Sequence, residues 1–182
     1  MERKLSSTHI HIRRFSLEDA ESLLTYQNEN KAFFERFSME RDQHYYSLLR
    51  QQQLIADWEQ KWKADTHYQF GIFENENQRL VGTISLFQVV RGSLQSAFIG
   101  YFIDYAHNGK GYGTEAVKLV VEYSFTRLKL HRIEAGVMPH NIGSIRVLEK
   151  AGFHKEGIAR KNVKINGNWE DHQVLAIINP AD

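Results

Sequence analysis

The amino-acid sequence predicts a mixed α+β fold: a twisted, mostly antiparallel sheet of about seven strands flanked by helices, in the order β-α-α-β-β-β-α-β-α-β-β. Three observations predict it. Segments rich in β-branched and aromatic residues, separated by short polar breaks, fill residues 68–103. A glycine cluster at 109–113 opens into an amphipathic helical pattern. An Asn-Gly pair joins two strand-like runs near the C-terminus.

Taken in order, Ile10 and Ile12 alternate with polar neighbours over 9–14, the period of a half-buried strand. Ser16 followed by Asp19 fits a helix start, with Ala20, Leu23 and Leu24 on one face. From Asn28 to Asp65 there is no glycine or proline, and Leu48, Ile55, Trp58 and Trp62 form one stripe, so a long amphipathic helical region is expected. Its Phe33, Phe34, Phe37, Tyr45 and Tyr46 suit either a core or a substrate groove. Tyr68–Phe73, Leu80–Val90 and Leu94–Ile103 then read as antiparallel hairpin strands.

After the glycine cluster, Val117, Val120, Val121, Ser124, Phe125 and Leu128 mark a buried helical face, and a strand follows over Arg132–Val137. Asn141 is placed to cap a short helix carrying Ile145 and Leu148, with Gly152 as its left-handed end and Phe153 packing back. Two last strands, Ile158–Ile165 and His172–Ile178, flank Asn166-Gly167-Asn168. With no repeat, linker or low-complexity stretch, residues 1–182 are expected to form one domain.

Twenty-three Lys plus Arg against 22 Asp plus Glu give a formal charge of +1, so no global field favours nucleic acid or an anionic membrane. The absence of cysteine excludes disulfides, zinc-thiolate sites and a cysteine nucleophile. His9-x-His11 signals no third metal ligand, and no metal is expected. Met1-Glu2-Arg3-Lys4-Leu5-Ser6-Ser7 has no apolar core of signal-peptide length, and no run approaches a membrane span, so a cytoplasmic protein is expected.

The chemistry concentrates in Asn108-Gly109-Lys110-Gly111-Tyr112-Gly113. Three glycines at alternate positions, between a strand and a helix start, let successive backbone N–H groups converge where the positive end of the helix dipole points. A pyrophosphate is the fitting guest, with Lys110 as added charge. The spacing is neither that of a P-loop nor the G-x-G-x-x-G of a dinucleotide fold, and the turn lies too late in the chain for the latter.

Tyr101 through Ala116, which carries this turn, resembles the acetyl-coenzyme A (acetyl-CoA) motif of the GCN5-related N-acetyltransferase (GNAT) superfamily, Gln/Arg-x-x-Gly-x-Gly/Ala. His131-Arg132-Ile133-Glu134-Ala135, Asn141 through Phe153, and the tail residues Glu156-Gly157 and Asn166 through Asp171 are similar to its ribosomal-protein N-terminal (alanine/serine) acetyltransferase branch. Asn108 stands where that motif has Gln or Arg.

The resemblance implies the GNAT fold and direct acetyl transfer to an amine without an acyl-enzyme. It implies that Asn108, Gly109, Lys110, Gly111, Tyr112, Gly113 and Thr114 hold the phosphates of acetyl-CoA, and that Phe102 and Ile103 pair with its pantetheine arm. It places Asn141 on that arm and Ser144 near the sulfur, where the hydroxyl would protonate the leaving thiolate. Helix capping is the alternative reading of Asn141 and Ser144, and the register of the following Glu149-Lys150-Ala151-Gly152-Phe153 favours the cofactor role.

Glu134 and Glu156 are the candidate bases, with Tyr101 and His140 behind them. An α-amine with a pKa near 8 needs less help than a lysine. The expected acceptor is a protein N-terminus, a polyamine, aminoglycoside or amino acid derivative being the alternative. A non-catalytic acyl-CoA-binding module is the rival from another class. Monomer and homodimer both remain open.

Overall fold

A computed structural model describes residues 4–39 and 41–182; Met1, Glu2 and Arg3, part of the segment read for a signal peptide, and Glu40 lie outside the described residues. The strands are β1 (Leu5–Ser6), β2 (Ile10–Arg13), β3 (Tyr68–Glu74), β4 (Leu80–Val90), β5 (Ser96–Ile103), β6 (Arg132–Val137), β7 (His154–Ile165) and β8 (Asn168–Ile178). The helices are α1 (Ala20–Glu29), α2 (Lys31–Phe34), α3 (Leu48–Lys63), α4 (Tyr112–Thr126) and α5 (Ile142–Lys150). One sheet runs β1-β2-β3-β4-β5-β6-β8-β7. Every junction is antiparallel except β5 to β6, which is parallel.

This is the expected mixed fold with eight strands rather than seven. The extra one, β1, has two residues and takes its place by pairing Leu5 with Ile12 and Ser6 with His11. A segment that short shows no periodicity of its own.

The larger correction is in residues 28–65, which break into α2, a 3-10 turn at Gln43–Tyr46, and α3. Side chains that compete for backbone groups break it without glycine or proline. The Asn30 amide donates to the Tyr26 carbonyl, Asp42 accepts from the Tyr45 N–H, and Ser47 Oγ caps α3 by accepting from the Arg50 N–H.

The other local signals act as their residues dictate. The Ser16 N–H donates to the Asp19 carboxylate at 2.8 Å, and Arg13 grips the same carboxylate with both guanidinium nitrogens. At the end of α5, Gly152 lies at φ +101°; its N–H donates to the Glu149 carbonyl and that of Phe153 to the Leu148 carbonyl, a Schellman motif that brings buried Phe153 onto buried Leu148. Asn166 and Gly167 both adopt positive φ, +48° and +81°, and close the β7-β8 hairpin.

Two apolar layers sandwich the sheet. On one face Ile84, Ile99, Ile133 and Leu175 pack on Val117 and Val120 of α4 and Leu148 of α5. On the other, Leu23 and Tyr26 of α1, Phe34 of α2 and Ile55 of α3 cover Phe73 and Leu80. No described helix is long and apolar enough to cross a membrane.

Candidate active site

β5 and β6 pair only over Ser96↔Arg132, Ala97↔Ile133 and Phe98↔Glu134. Beyond them β5 stays with β4 as far as Ile103↔Gly82, and β6 stays with β8 as far as Val137↔Gln173. Each strand is held by its outer neighbour, so the two part and leave a gap in the middle of the sheet. A cleft of about 600 Å³ fills it, within the usual range for small-molecule sites.

Strand alternation gives the cleft two different walls. Ile99 and Ile103 join the layer under α4 and α5, and Tyr101, two residues from each, sends its hydroxyl to Ser144 Oγ at 2.8 Å and the Ser144 carbonyl at 3.1 Å. Phe102 faces the other way and packs on Phe34 at 5.0 Å. Along β6, Ile133, Ala135 and Val137 lie under the helices, so Arg132, Glu134 and Gly136 face the α1-α2 side.

The glycine turn closes one end of the cleft. Gly109 and Gly111 have φ of +81° and +85°, and a Cβ at either would meet nothing within 4 Å. The backbone there is curled around open space. Gly111 is also the N-cap of α4, whose first N–H groups lack helical partners. Gly113 differs from both: it has no positive φ, and its Cβ would stand 3.4 Å from Val147 of α5, an ordinary contact.

Ionisable side chains brace the turn from behind. The Tyr112 hydroxyl donates to Glu74 at 2.7 Å, His107 Nδ1 lies 2.6 Å from Asp104, and the His107 and Tyr112 rings stack at 6.0 Å. The Tyr112 phenol is pushed up to about 12, first by that hydrogen bond to Glu74.

Of the sequence-predicted donor residues, Phe102, Ile103, Asn108, Gly109, Gly111, Tyr112, Gly113, Thr114, Asn141 and Ser144 all line the cleft. Lys110 does not; its ammonium sits 5.8 Å from the Tyr112 ring centre. Arg146 and Lys150 of α5 supply the cations of the wall instead. Phe102 brings a side chain, but its carbonyl is already taken by the Tyr26 hydroxyl at 2.9 Å. Asn141 both lines the cleft and caps α5, its Oδ1 accepting from the Ser144 N–H at 3.3 Å.

The two candidate bases are not brought to the cleft. Arg132 donates to Glu134 at 2.9 Å and grips Glu156 with both guanidinium nitrogens, and neither acid is part of the wall. Arg132, then His154, holds the Glu156 carboxyl down at about 2, which makes it a poor proton acceptor. β6 alternation and the bend of β7 aim both acids at one arginine. His9 and His11 likewise serve separate partners, Glu115 and Asn75.

Sequence reasoning ranked Tyr101 low and passed over His172. Burial raises the Tyr101 phenol to about 12, so it remains a protonated donor beside Ser144. His172, 7% exposed, lines the cleft from β8. Phe33 and Phe37 form the mouth on the α2 side, whereas Phe34 belongs to the core. Opposite one another stand a hydroxyl pair and an aromatic mouth with a histidine, an arrangement suited to moving a group between two substrates entering from opposite faces.

Comparison with known proteins agrees with this geometry. The family model described as acetyltransferase (GNAT) domain matches residues 9–154. The Bacillus subtilis (strain 168) protein named probable N-acetyltransferase YjcK is 62% identical over 98% of both chains. The structure of a ribosomal-protein-S5-alanine acetyltransferase from Vibrio fischeri superposes with a TM-score of 0.93 at 27% identity, covering 98% of each chain. That of Mycobacterium smegmatis RimJ in complex with CoA-disulfide does so at 0.88 and 26%, over 93% of this chain and 81% of that one.

Proposed function

This chain belongs to the GNAT acetyltransferase family and is an N-acetyltransferase; from that premise we propose that it uses acetyl-CoA as donor and the N-terminal α-amine of a protein as acceptor. The observation that carries the choice of acceptor is the wall of the cleft, where no Asp or Glu occurs among the described residues. A polyamine or aminoglycoside brings several ammonium groups, each needing a nearby carboxylate to replace lost water. An α-amine brings one, and it is already about a quarter neutral near pH 7.4, against about one in a thousand for a lysine. An acid-free, aromatic mouth suits the single α-amine. The Vibrio fischeri neighbour, named for the alanine of a ribosomal protein, points the same way.

The donor side fits acetyl-CoA. Gly109 and Gly111 curl around space that a side chain would fill, as a pyrophosphate cradle requires, and the α4 N-terminus adds its dipole. These contacts come from backbone N–H groups, so Asn108 in place of Gln or Arg leaves them intact. Bound there, acetyl-CoA supplies an activated thioester. Ile103 and Phe102 flank the arm, and Tyr101 with Ser144 stands ready to protonate the departing sulfur. Because all eight strands belong to one sheet, we read residues 1–182 as one catalytic domain.

The test is acceptor-dependent thiol release from acetyl-CoA with peptides beginning in Ala, Ser or Met, with spermidine, and with an aminoglycoside. Peptides should be the best acceptors, and mass spectrometry should place the acetyl group on the α-nitrogen and not on lysine. A higher kcat/KM for spermidine or the aminoglycoside would reverse the acceptor assignment. Tight acetyl-CoA binding with no release for any amine would favour a non-catalytic module.

A further inference from the structure

We propose that His172 is the catalytic proton acceptor, taking the proton from the amine on the face of the sheet opposite the Tyr101-Ser144 pair. β8 alternates like β6: Leu175 packs in the layer under α4 and α5, so His172 and Val174 face the α1-α2 side. Val174 pairs with Gly136, and His172, two residues on, lies over that glycine, its ring 3.6 Å from where a Cβ would be. The imidazole thus packs at ordinary contact distance on Gly136, beside the gap between β5 and β6.

The ring is also oriented by a backbone group. Its Nδ1 lies 3.2 Å from the carbonyl of Glu170, and a carbonyl only accepts, so Nδ1 is the donor of this contact and Nε2 is the nitrogen left to take up a proton. A buried imidazole on the wall of an acid-free cleft is the group placed to accept a proton there. Glu134, on the same face of β6, is held by Arg132 and offers no competing base.

The step balances as follows. The amine nitrogen forms its bond to the acetyl carbon and loses a proton to His172 Nε2, giving an imidazolium. The carbon–sulfur bond breaks, and the thiolate takes a proton from the Tyr101-Ser144 pair. The products are the N-acetyl amide and the free thiol, and solvent returns both groups to their starting states. Acid and base on opposite faces keep the two protons from exchanging directly.

This inference rests on acetyl transfer to an amine but not on which amine, so the best acceptor of the panel serves for the test. In His172→Gln and His172→Ala, kcat/KM for the acceptor should fall by about 10²–10⁴-fold, the usual worth of a positioned base. The Kd for acetyl-CoA should stay within twofold, and imidazole should restore His172→Ala at least tenfold. Activity within threefold of wild type, or a loss that imidazole does not restore, overturns the assignment. If the variants do not fold, nitrogen-15 NMR of the wild-type ring decides: the Nδ1–H tautomer is expected, and Nε2–H sinks it. Wild-type protein that acetylates spermidine better than peptides would refute the acceptor class alone.

Discussion

Two glycines of the turn, Gly111 and Gly113, should respond differently to the same added methyl group. Gly111→Ala places an L-residue at φ +85°, and the left-handed region costs about 1–2 kcal/mol. At about 2–4 °C per kcal/mol for a chain of this size, Tm should fall by about 2–8 °C. No atom lies within 4 Å of the new Cβ, so that cost is conformational and owes nothing to packing. The same open space is where a phosphate would sit, so acetyl-CoA affinity should fall by tenfold or more. Gly113→Ala lies in the helix with its Cβ 3.4 and 3.5 Å from Val147 and 3.7 Å from Ile103, an ordinary contact. Replacing a helical glycine by alanine gains about 0.5–1 kcal/mol, so Tm should hold or rise by up to about 4 °C, with affinity within twofold. Thermal unfolding and calorimetric titration of both variants are the assay. Equal losses of affinity in the two, or a Gly111→Ala protein that binds as wild type, would refute the division of roles and the cradle with it.

Ser144→Ala and Tyr101→Phe should each lower kcat in steady-state thiol release while leaving the Kd for acetyl-CoA nearly unchanged; an unchanged rate in Ser144→Ala removes that hydroxyl from the mechanism. Leu148→Ala, at a fully buried α5 position against the Schellman turn, should cost about 2–5 kcal/mol in urea unfolding. For Glu156 the folded carboxyl lies at about 2 against an ordinary 4.5, so its stabilising contact with Arg132 is complete above about pH 4.5 and lost as pH falls through about 2. The stability difference between wild type and Arg132→Gln should therefore shrink from about pH 5 to about pH 2, and a constant difference would count against the ion pair. Phe37→Ala, opening the aromatic mouth, should raise KM for the peptide acceptor several-fold with the acetyl-CoA Kd unchanged.

What the sequence by itself determined are the features whose physics is complete within a few residues. The Asn141 cap, the Gly152 ending of α5 and the Asn166-Gly167 hairpin each satisfy their own backbone groups locally, and the left-handed glycines of the turn need only their own φ; each is legible for that reason. So are the strands of the central sheet as elements, although β2 is buried on both faces, His11 included, where alternation alone suggests a half-buried strand. Residues 28–65 were misread because Asn30, Asp42 and Ser47 break the helix through side-chain bonds that hydrophobic periodicity does not register. Which ionisable groups reach the cleft was decided only by tertiary structure. Glu134 and Glu156 lie 22 residues apart and converge on Arg132, while His172 meets Gly136 from 36 positions away, through strand register. Register is fixed by the whole sheet, and moving β8 by one residue would turn His172 into the opposite layer.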